Sequence, residues 1–151
     1  MDSFSELFEV IGVLARRRYQ SAERNFAALG LNHSEARILM LLEQEAGTAT
    51  QDTLANLLFI DRSNVGRAMK GLEQQGYIIR CKNDNDKRAN LVHLTPEGSA
   101  TLVEIRETKQ KIIDGFFKDM TAEEARQATR LMKKSMSADD RAALQKETKH
   151  Q

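Results

Sequence analysis

The sequence is short of residues that interrupt helices and of large aromatic side chains. It contains one proline, eight glycines and no tryptophan, and aromatic residues make up 5% of its 151 positions. Charged residues make up 30% and hydrophobic residues 40%, which is enough to build a core. We therefore expect one domain, or one subunit of an assembly, that is mostly helical with short connections.

Long apolar runs are also missing. No stretch approaches the roughly 20 apolar residues that a membrane-spanning helix needs. The N-terminal Met-Asp-Ser-Phe-Ser-Glu lacks the basic start and the small-residue cleavage site of a signal peptide. The expected location is cytoplasmic, with no membrane partner.

Residues that carry redox, metal or catalytic chemistry are few and scattered. Cys81 is the single cysteine, so a redox switch would need an intermolecular bond or a small-thiol adduct, and its expected role is that of a small hydrophobic side chain. His33, His93 and His150 show no metal-ligand spacing. We find no Ser-His-Asp motif, phosphate loop or close carboxylate pair in a catalytic context. We expect no enzyme activity, no metal and no cofactor.

What the sequence does contain is a helix-turn-helix pattern that begins at Thr50. Thr50 is a suitable N-cap for a short helix. Its apolar face carries Leu54, Leu57 and Leu58. Residues 59–61 form the turn, and Asp61 is a strong N-cap candidate because its carboxylate suits the positive end of a helix dipole.

The second helix of this pattern runs from Arg62 to about Gln75, and Gly76 is the expected residue that ends it. At about 100° per residue, apolar side chains cluster on one side and polar or cationic side chains on the other. The apolar side carries Val65, Met69 and Leu72, and the opposite side carries Ser63, Arg67, Lys70 and Gln74.

In helix-turn-helix proteins the N-terminal part of the second helix enters the major groove. Ser63, Asn64 and Arg67 occupy that part here, and an arginine can bridge guanine O6 and N7. Gly66 lies beside the polar stripe and permits close approach of the backbone to a partner. The alternative is that the stripe is the solvated face of a small helical bundle, since amphipathic helices are common.

A hairpin pattern follows the second helix with no spacer. Residues 77–82 favour a strand, residues 83–86 are dense in turn formers, and residues 91–94 resume a strand pattern. Lys87 and Arg88 give the tip a cationic end long enough to reach DNA phosphates or a minor groove. This order predicts a winged helix-turn-helix with a small two-stranded β wing in a mainly α protein.

Amphipathic helices flank the winged region. Residues 4–26 keep the 3 and 4 spacing of a long helix that Gly30 closes, and Asn32 or Ser34 caps the helix that follows. After the wing, Thr95-Pro96 is a cap followed by a proline at the first helical position.

The C-terminal region continues this helical pattern. Residues 121–124 form a capping box for a further helix, and the polar tail from Ser137 is expected to fray. Both ends of the chain carry apolar stripes that need a partner, which favours a dimer over packing within one chain. We therefore expect a helical dimerisation region at residues 1–29 and 96–151 around a winged helix-turn-helix at residues 30–95.

Two stretches of the winged region are the most specific parts of the sequence, TLANLLFIDRSNVGRAMKGLEQQGYIIR and NDNDKRANLVHLTPEG. From Leu31 to Gly98 the chain resembles the MarR family of bacterial transcription regulators. The second stretch matches that family's wing, in which an Asp-Arg/Lys-Arg motif is followed by a strand and then by a Leu-Thr-x-x-Gly motif. The resemblance implies a homodimer that binds a pseudo-palindromic operator in double-stranded DNA and is often released by a small ligand.

The resemblance also implies roles for individual residues. It assigns wing contacts to Lys87 or Arg88, and an acidic residue at the position of Asp86 tends to hold a wing arginine in place. The recognition-helix residues that it assigns to DNA are Ser63, Asn64 and Arg67, and Lys70 continues the same polar stripe. Two positions depart from the family pattern, Gly66 and the Leu31-Asn32 pair, so base preference is not carried over.

The favoured function is a sequence-specific DNA-binding regulator, a dimeric repressor released by a small aromatic or phenolic ligand. Arg16 and Tyr19 are candidate ligand-binding residues, because they lie where the winged and dimerisation helices must meet. The alternative is a winged-helix module that binds another protein through the same polar helix face, without specific DNA binding. Arg67 and the cationic wing tip favour DNA.

Overall fold

The computed structural model describes residues 1–82, 84–85 and 90–148. The elements of this part, in chain order, are α1 (Ser3–Ala27), α2 (His33–Gln44), β1 (Thr48–Thr50), α3 (Gln51–Leu58), α4 (Arg62–Gln74), β2 (Ile78–Lys82), β3 (Asn90–Leu94), α5 (Pro96–Phe116), α6 (Ala122–Met132), a 3₁₀ turn (Lys133–Ser135) and α7 (Ala138–Thr148). The predicted fold class, mainly α with a small β wing, is confirmed.

The wing sheet has a third strand that the sequence did not predict. Its order is β1-β3-β2, and both pairs are antiparallel. Thr48 pairs with His93 in one ladder, and Ile78 pairs with Leu94 in the other. β1 is three residues long and becomes a strand through its pairing with β3, which is distant in the sequence, so no local pattern marks it.

The predicted helix caps form at the expected residues. The Thr50 side chain accepts a hydrogen bond from Thr53 N, and the Thr95 hydroxyl accepts one from Gly98 N, each at 3.0 Å. Of the two candidates for the start of α2, Asn32 is the cap, and Glu35 completes a capping box with it. These bonds fix where each helix begins, because they satisfy backbone N–H groups that lack a partner within the helix.

The core lies between α2, α3, α4, the sheet and the first half of α5. Val65, Met69 and Leu72 of α4 are completely buried, as the apolar stripe predicts. They pack in one cluster whose other fully buried members include Ile38, Leu39, Leu42, Leu54, Val92, Leu102 and Ile105. This core fixes the orientation of α4 and leaves its opposite face in solvent.

The helices at the two ends of the chain are mostly outside this core. In α1 the last turns are anchored by Ala22 and Phe26, whereas residues 1–20 are exposed. No residue of α6 or α7 is buried. Across the described ranges, no helix is both long and apolar enough to cross a membrane.

The polar tail, for which the sequence predicts fraying, forms α7 up to Thr148. Its first turn is closed by two bonds, from Asp140 N to Ser137 Oγ at 3.1 Å and from Ser137 N to Asp140 Oδ2 at 2.8 Å. Near the other end, Glu147 forms an ion pair with Arg37 of α2 at 2.6 Å. A contact with a distant helix stabilises α7, and composition alone could not show that contact.

Candidate nucleic-acid interface

The polar face of α4 is the candidate interface. Ser63, Asn64, Arg67 and Lys70 lie on this side, which faces solvent, while the other side of the helix is anchored in the core. The predicted separation of a buried and a polar face is therefore present. Because core packing fixes the helix, its polar side chains have a defined direction in which to meet a partner.

Hydrogen bonds connect three residues along this face. Asp61 caps α4 by accepting from Asn64 N at 2.8 Å, and its second carboxylate oxygen accepts from Asn64 Nδ2 at 2.9 Å. Asn64 Oδ1 in turn accepts from Arg67 Nη2. The amide of Asn64 is thus held between an acceptor and a donor, which orients both it and the guanidinium of Arg67 before any partner arrives.

The sequence indicated Asp61, Asn64 and Arg67 separately, without this connection between them. The available signal was their spacing of three residues, which places side chains next to each other on one helix face. Arg62 was missed as a candidate contact. It is the first residue of α4, its side chain is 80% exposed, and it forms an ion pair with Asp52 at 3.1 Å. An exposed pair of this kind is weak, so a phosphate can compete for the guanidinium.

Gly71 of α4 lies against the Glu35 side chain of α2. A Cβ atom at Gly71 would lie 2.7 Å from Glu35 Oε2, the far end of that side chain, so an alanine there would require the carboxylate to shift. At Gly66 a Cβ atom would meet Gln51 Nε2 at 3.8 Å, an ordinary contact, so no described neighbour demands a glycine there. Its predicted role, close approach to a partner, stays a prediction.

Similarity to known proteins identifies the family. A sequence profile of the MarR family matches residues 29–89. The multiple antibiotic resistance protein MarR of Salmonella typhimurium is 30% identical over 142 residues, which cover 89% of this chain and 98% of that protein. The chain belongs to the MarR family. Relatives from Bacillus subtilis are likewise transcriptional regulators.

Solved structures of MarR-type regulators share the fold. A mutant MarR from E. coli, complexed with operator DNA, aligns with a TM-score of 0.77 at 25% identity and covers 91% of this chain and 100% of that chain. An organohalide-sensing transcriptional regulator in its 2,4-dichlorophenol-bound form aligns with a TM-score of 0.76 at 20% identity, over 89% and 79% of the two chains. The chain thus has the architecture of MarR-family transcription regulators.

Residues 83 and 86–89 of the MarR-type wing fall outside the described residues. β2 ends at Lys82 and β3 begins at Asn90, so the predicted strands are confirmed. The predicted contacts of Lys87 and Arg88, and the supporting role of Asp86, lie on residues that the structure does not describe. These three roles stay predictions.

A cavity of about 470 Å³ adjoins α4. Its lining joins α1, the start of α2 and the polar side of α4, and consists of Tyr19, Asn32, Ser34, Glu35, Ile60, Asn64, Arg67, Ala68 and Gly71. Of the two candidate ligand-binding residues, Tyr19 therefore shares this cavity with Asn64 and Arg67. Arg16 is exposed on α1 and is not part of this lining.

His33, the first residue of α2, contacts Tyr19 of α1. The two rings meet edge to face, with centroids 5.7 Å apart. Burial lowers the pKa of His33 below its usual value, and the positive charges of Arg37 and Arg18 lower it further. Its buried Nδ1 has no hydrogen-bond partner among the described residues, and the carboxylates of Glu23 and Glu147 offset the cost of charging the buried ring only in part.

Cys81 departs from its expected role as a small hydrophobic side chain. It is exposed on the wing sheet, and its Sγ lies 3.2 Å from His93 Nε2, while His93 Nδ1 lies 3.0 Å from Thr48 Oγ1. The three side chains form a polar row across β2, β3 and β1. In the described part of the chain, no group of three or more His, Cys, Asp or Glu residues could hold a metal ion.

Proposed function

We propose that this MarR-family regulator is a dimeric repressor that binds a pseudo-palindromic operator and is released by a small ligand. In this proposal Ser63, Asn64 and Arg67 contact base edges, Lys70 supports them on the same helix face, and the wing reaches the backbone or minor groove through Lys87 and Arg88. Residues 30–95 are the DNA-binding domain, and residues 1–29 and 96–151 are the dimerisation region.

The observation that carries the proposal is the oriented polar face of α4. Asp61, Asn64 and Arg67 are linked in one row on a helix whose opposite face is fully buried. This fixed arrangement of side chains fits a recognition helix, because a preoriented guanidinium and amide lose little conformational freedom on binding a base edge. The shared fold with an operator-bound MarR supports DNA as the partner.

Exposed apolar side chains on α1 support the homodimer. Phe4 is 84% exposed and Phe8 75% exposed, and Leu7 and Ile11 lie on the same stripe. A contiguous apolar stripe of this length on a helix outside the core is typical of an interface. Light scattering should give the mass of a dimer at micromolar concentration, and a stable monomer there would contradict the proposal.

The ligand site that we propose is the cavity between Tyr19 and α4. A small aromatic acid bound there would stack near Tyr19 and attract the guanidinium of Arg67, which the proposal also assigns to DNA. Ligand and operator would then compete for one side chain, with a coupling of about 1 to 3 kcal/mol. A regulator of similar fold has been solved with 2,4-dichlorophenol bound, which is an aromatic ligand of similar size but a phenol and not a carboxylic acid.

A titration of operator affinity against a panel of phenolic and other aromatic acids tests the ligand. We expect operator affinity to fall as an effective compound is added, and Tyr19→Ala should reduce that response. Arg16→Ala is the matched control, because Arg16 is exposed on the same helix but outside the lining of the cavity. Unchanged operator affinity across the panel would contradict release by such compounds.

A salt series separates DNA binding from the alternative of a protein-binding module. Contacts with phosphates release counterions, so affinity for random-sequence DNA should fall steeply as salt rises, and a selected operator should bind more tightly at every salt concentration. A folded protein that shows neither binding nor salt dependence would favour the protein-binding module.

A further inference from the structure

Gln51, the first residue of α3, has a side-chain amide with an unsatisfied acceptor. Its Oε1 is buried and has no hydrogen-bond partner among the described residues. A buried carbonyl oxygen without a partner costs stability, because it loses its hydrogen bonds to water and gains none in exchange. The neighbouring hydroxyls are satisfied, since Thr50 Oγ1 donates to Thr53 Oγ1 at 2.8 Å and accepts from Thr53 N at 3.0 Å. The hydrogen bonds of the free protein therefore do not explain a glutamine at this position.

Gly66 of α4 lies next to this amide. A Cβ atom at Gly66 would meet Gln51 Nε2 at 3.8 Å, an ordinary contact, and the described residues place no closer atom of another element there. Gly66 does not have the positive φ that favours glycine, and it lies inside α4, where glycine is less favourable than alanine. Neither the backbone conformation nor the packing of the free protein requires a glycine here.

The edge of α4 that carries Gly66 runs beside the polar face of that helix. Gly66 is four residues from Arg62 and from Lys70, so the three positions form one row along the helix. Both cationic side chains are exposed, and Gly66 between them is partly buried. At the N-terminal end of the row, Arg62 pairs with Asp52 of α3 at 3.1 Å. The Gln51 amide thus lies beside the face that the proposed function assigns to DNA, at a gap between two cations.

Two adjacent residues therefore each reduce the stability of the free protein. Residues that cost stability without a structural reason are expected at sites that serve a partner. The glycine permits a partner to approach the backbone of α4 closely. Because no hydrogen bond holds Oε1 of Gln51, the amide can turn towards that partner without breaking a bond in the protein.

We propose that Gln51 donates from Nε2 to an acceptor atom of the operator, across Gly66. The inference rests on the proposed DNA-binding function and adds a contact from α3 to those of α4. Phosphate oxygens and the acceptors on base edges are both suitable for an amide donor. Unlike the arginines and lysines of the interface, Gln51 carries no charge, so its contact releases no counterion.

The first test replaces the amide with a side chain of similar length. Gln51→Met removes the unpaired Oε1, so the melting temperature should equal that of the parent or exceed it. The same change removes the donor, so operator affinity should fall about threefold to tenfold, the effect of one neutral hydrogen bond. Fluorescence anisotropy and thermal denaturation measure the two quantities. A glutamine that serves only the fold would give the reverse pattern, a lower melting temperature with unchanged operator affinity.

The second test fills the space beside the amide. Gly66→Ala should raise the melting temperature, because alanine favours the helix and its methyl group makes only an ordinary contact. Operator affinity should fall about threefold or more, since the methyl group occupies the space across which the amide and DNA meet. A protein that is more stable but binds less tightly separates function from folding. Gly66→Ala combined with Gln51→Met should cost little more affinity than the weaker-binding single variant, because both changes remove the same contact.

Gln44→Met is the matched control. Gln44 ends α2 and lines a groove with Arg106 and Gln110 of α5, away from α3 and α4, so this variant should bind the operator like the parent. Random-sequence DNA identifies the acceptor that Gln51 contacts. An equal loss on operator and random DNA assigns the contact to the backbone, and a loss confined to the operator assigns it to a base edge. In both cases the salt slope of Gln51→Met should match that of the parent.

The outcomes separate this inference from the proposed function. If the parent binds its operator and Gln51→Met and Gly66→Ala bind it equally well, Gln51 does not contact DNA, and the repressor proposal stands. If Gln51→Met melts at a lower temperature, Gly66→Ala decides, because it retains the amide, and parent-like affinity of that variant overturns the inference. A folded parent that binds no DNA overturns both. Weaker binding by both variants with retained melting temperatures supports the contact.

Discussion

At the scale of single residues, Arg67 has the most specific expected effect. Its guanidinium is exposed and bonded to Asn64 on the face opposite the core, so Arg67→Ala should leave the fold intact. If Arg67 contacts a base edge, its loss should weaken operator binding by about 1 to 3 kcal/mol and random-DNA binding much less. Affinity for both DNAs, with circular dichroism as a folding control, measures the difference.

Gln74 provides the comparison for that experiment. It is exposed on the same stripe but at the C-terminal end of α4, away from the part that enters a major groove. Gln74→Ala should therefore bind both DNAs almost like the parent. If Arg67→Ala also binds both DNAs like the parent while remaining folded, the assignment of Arg67 to a base contact is wrong.

His33 gives a prediction about pH. Its pKa is lowered in the folded state, because burial and two nearby arginines disfavour the charged ring. The neutral ring therefore contributes stability that is fully present above the unfolded pKa of about 6.5 and is lost as pH falls below it towards the folded pKa. The melting temperature should decline over this window.

The variant His33→Gln isolates that contribution, since glutamine does not titrate. Melting temperatures of parent and variant at several pH values between about 5.5 and 7.5 should show a shallower decline for the variant. All other titratable groups are the same in the two proteins, so a difference between their slopes is due to His33. Equal slopes for the two proteins would rule out His33 as the source of the dependence.

At the scale of elements, the contact between α5 and the start of the wing predicts opposite effects for two glycines. A Cβ atom at Gly98 would lie 2.2 Å from Tyr77 O, a backbone atom that cannot move away without shifting β2. Gly98→Ala should lower the free energy of unfolding by about 1 to 3 kcal/mol.

Gly115, on the same helix, is the matched control, because a Cβ atom there would have no described neighbour within 4 Å. Gly115→Ala should raise the free energy of unfolding by about 0.4 to 1 kcal/mol, since alanine favours the helix. Urea denaturation of both variants measures the two changes. A Gly98→Ala protein as stable as the parent would mean that α5 does not approach Tyr77 this closely in solution.

The wing should act differently from the recognition helix. Lys87 and Arg88 are expected to reach phosphates, so neutralising one phosphate contact should weaken operator and random DNA alike and reduce the salt slope by about one. An arginine that inserts into a narrow minor groove would instead show some dependence on sequence. Salt series with Lys87→Ala and Arg88→Ala on both DNAs distinguish the two cases, and unchanged slopes for both variants would remove the wing from the interface.

At the scale of the whole molecule, a dimer must present two copies of α4 to one face of DNA. The two helices should meet successive major grooves about 34 Å apart, with half-sites about 10 base pairs apart. Inserting about five base pairs between the half-sites turns one of them to the opposite face of the duplex. Operator affinity should then fall towards that of a single half-site, as a gel-shift titration would show. Equal affinity for both spacings would exclude simultaneous binding of two recognition helices.

The sequence by itself determined the helices of the winged region and the buried face of α4. Thr50, Asp61 and Thr95 cap their helices through bonds to residues three positions away, so the information is local. The spacing of apolar residues along α4 likewise places Val65 and Met69 on the side opposite the polar stripe. This prediction needs no information about the other elements.

Tertiary structure decided the features that depend on residues far apart in the chain. β1 exists because Thr48 pairs with His93, and α7 docks because Glu147 reaches Arg37. The cavity beside α4 likewise needs Tyr19 of α1 to lie next to that helix. Packing of separate elements creates these contacts, and a periodic pattern along one helix or strand records only which face is buried, not which distant residue lies against it.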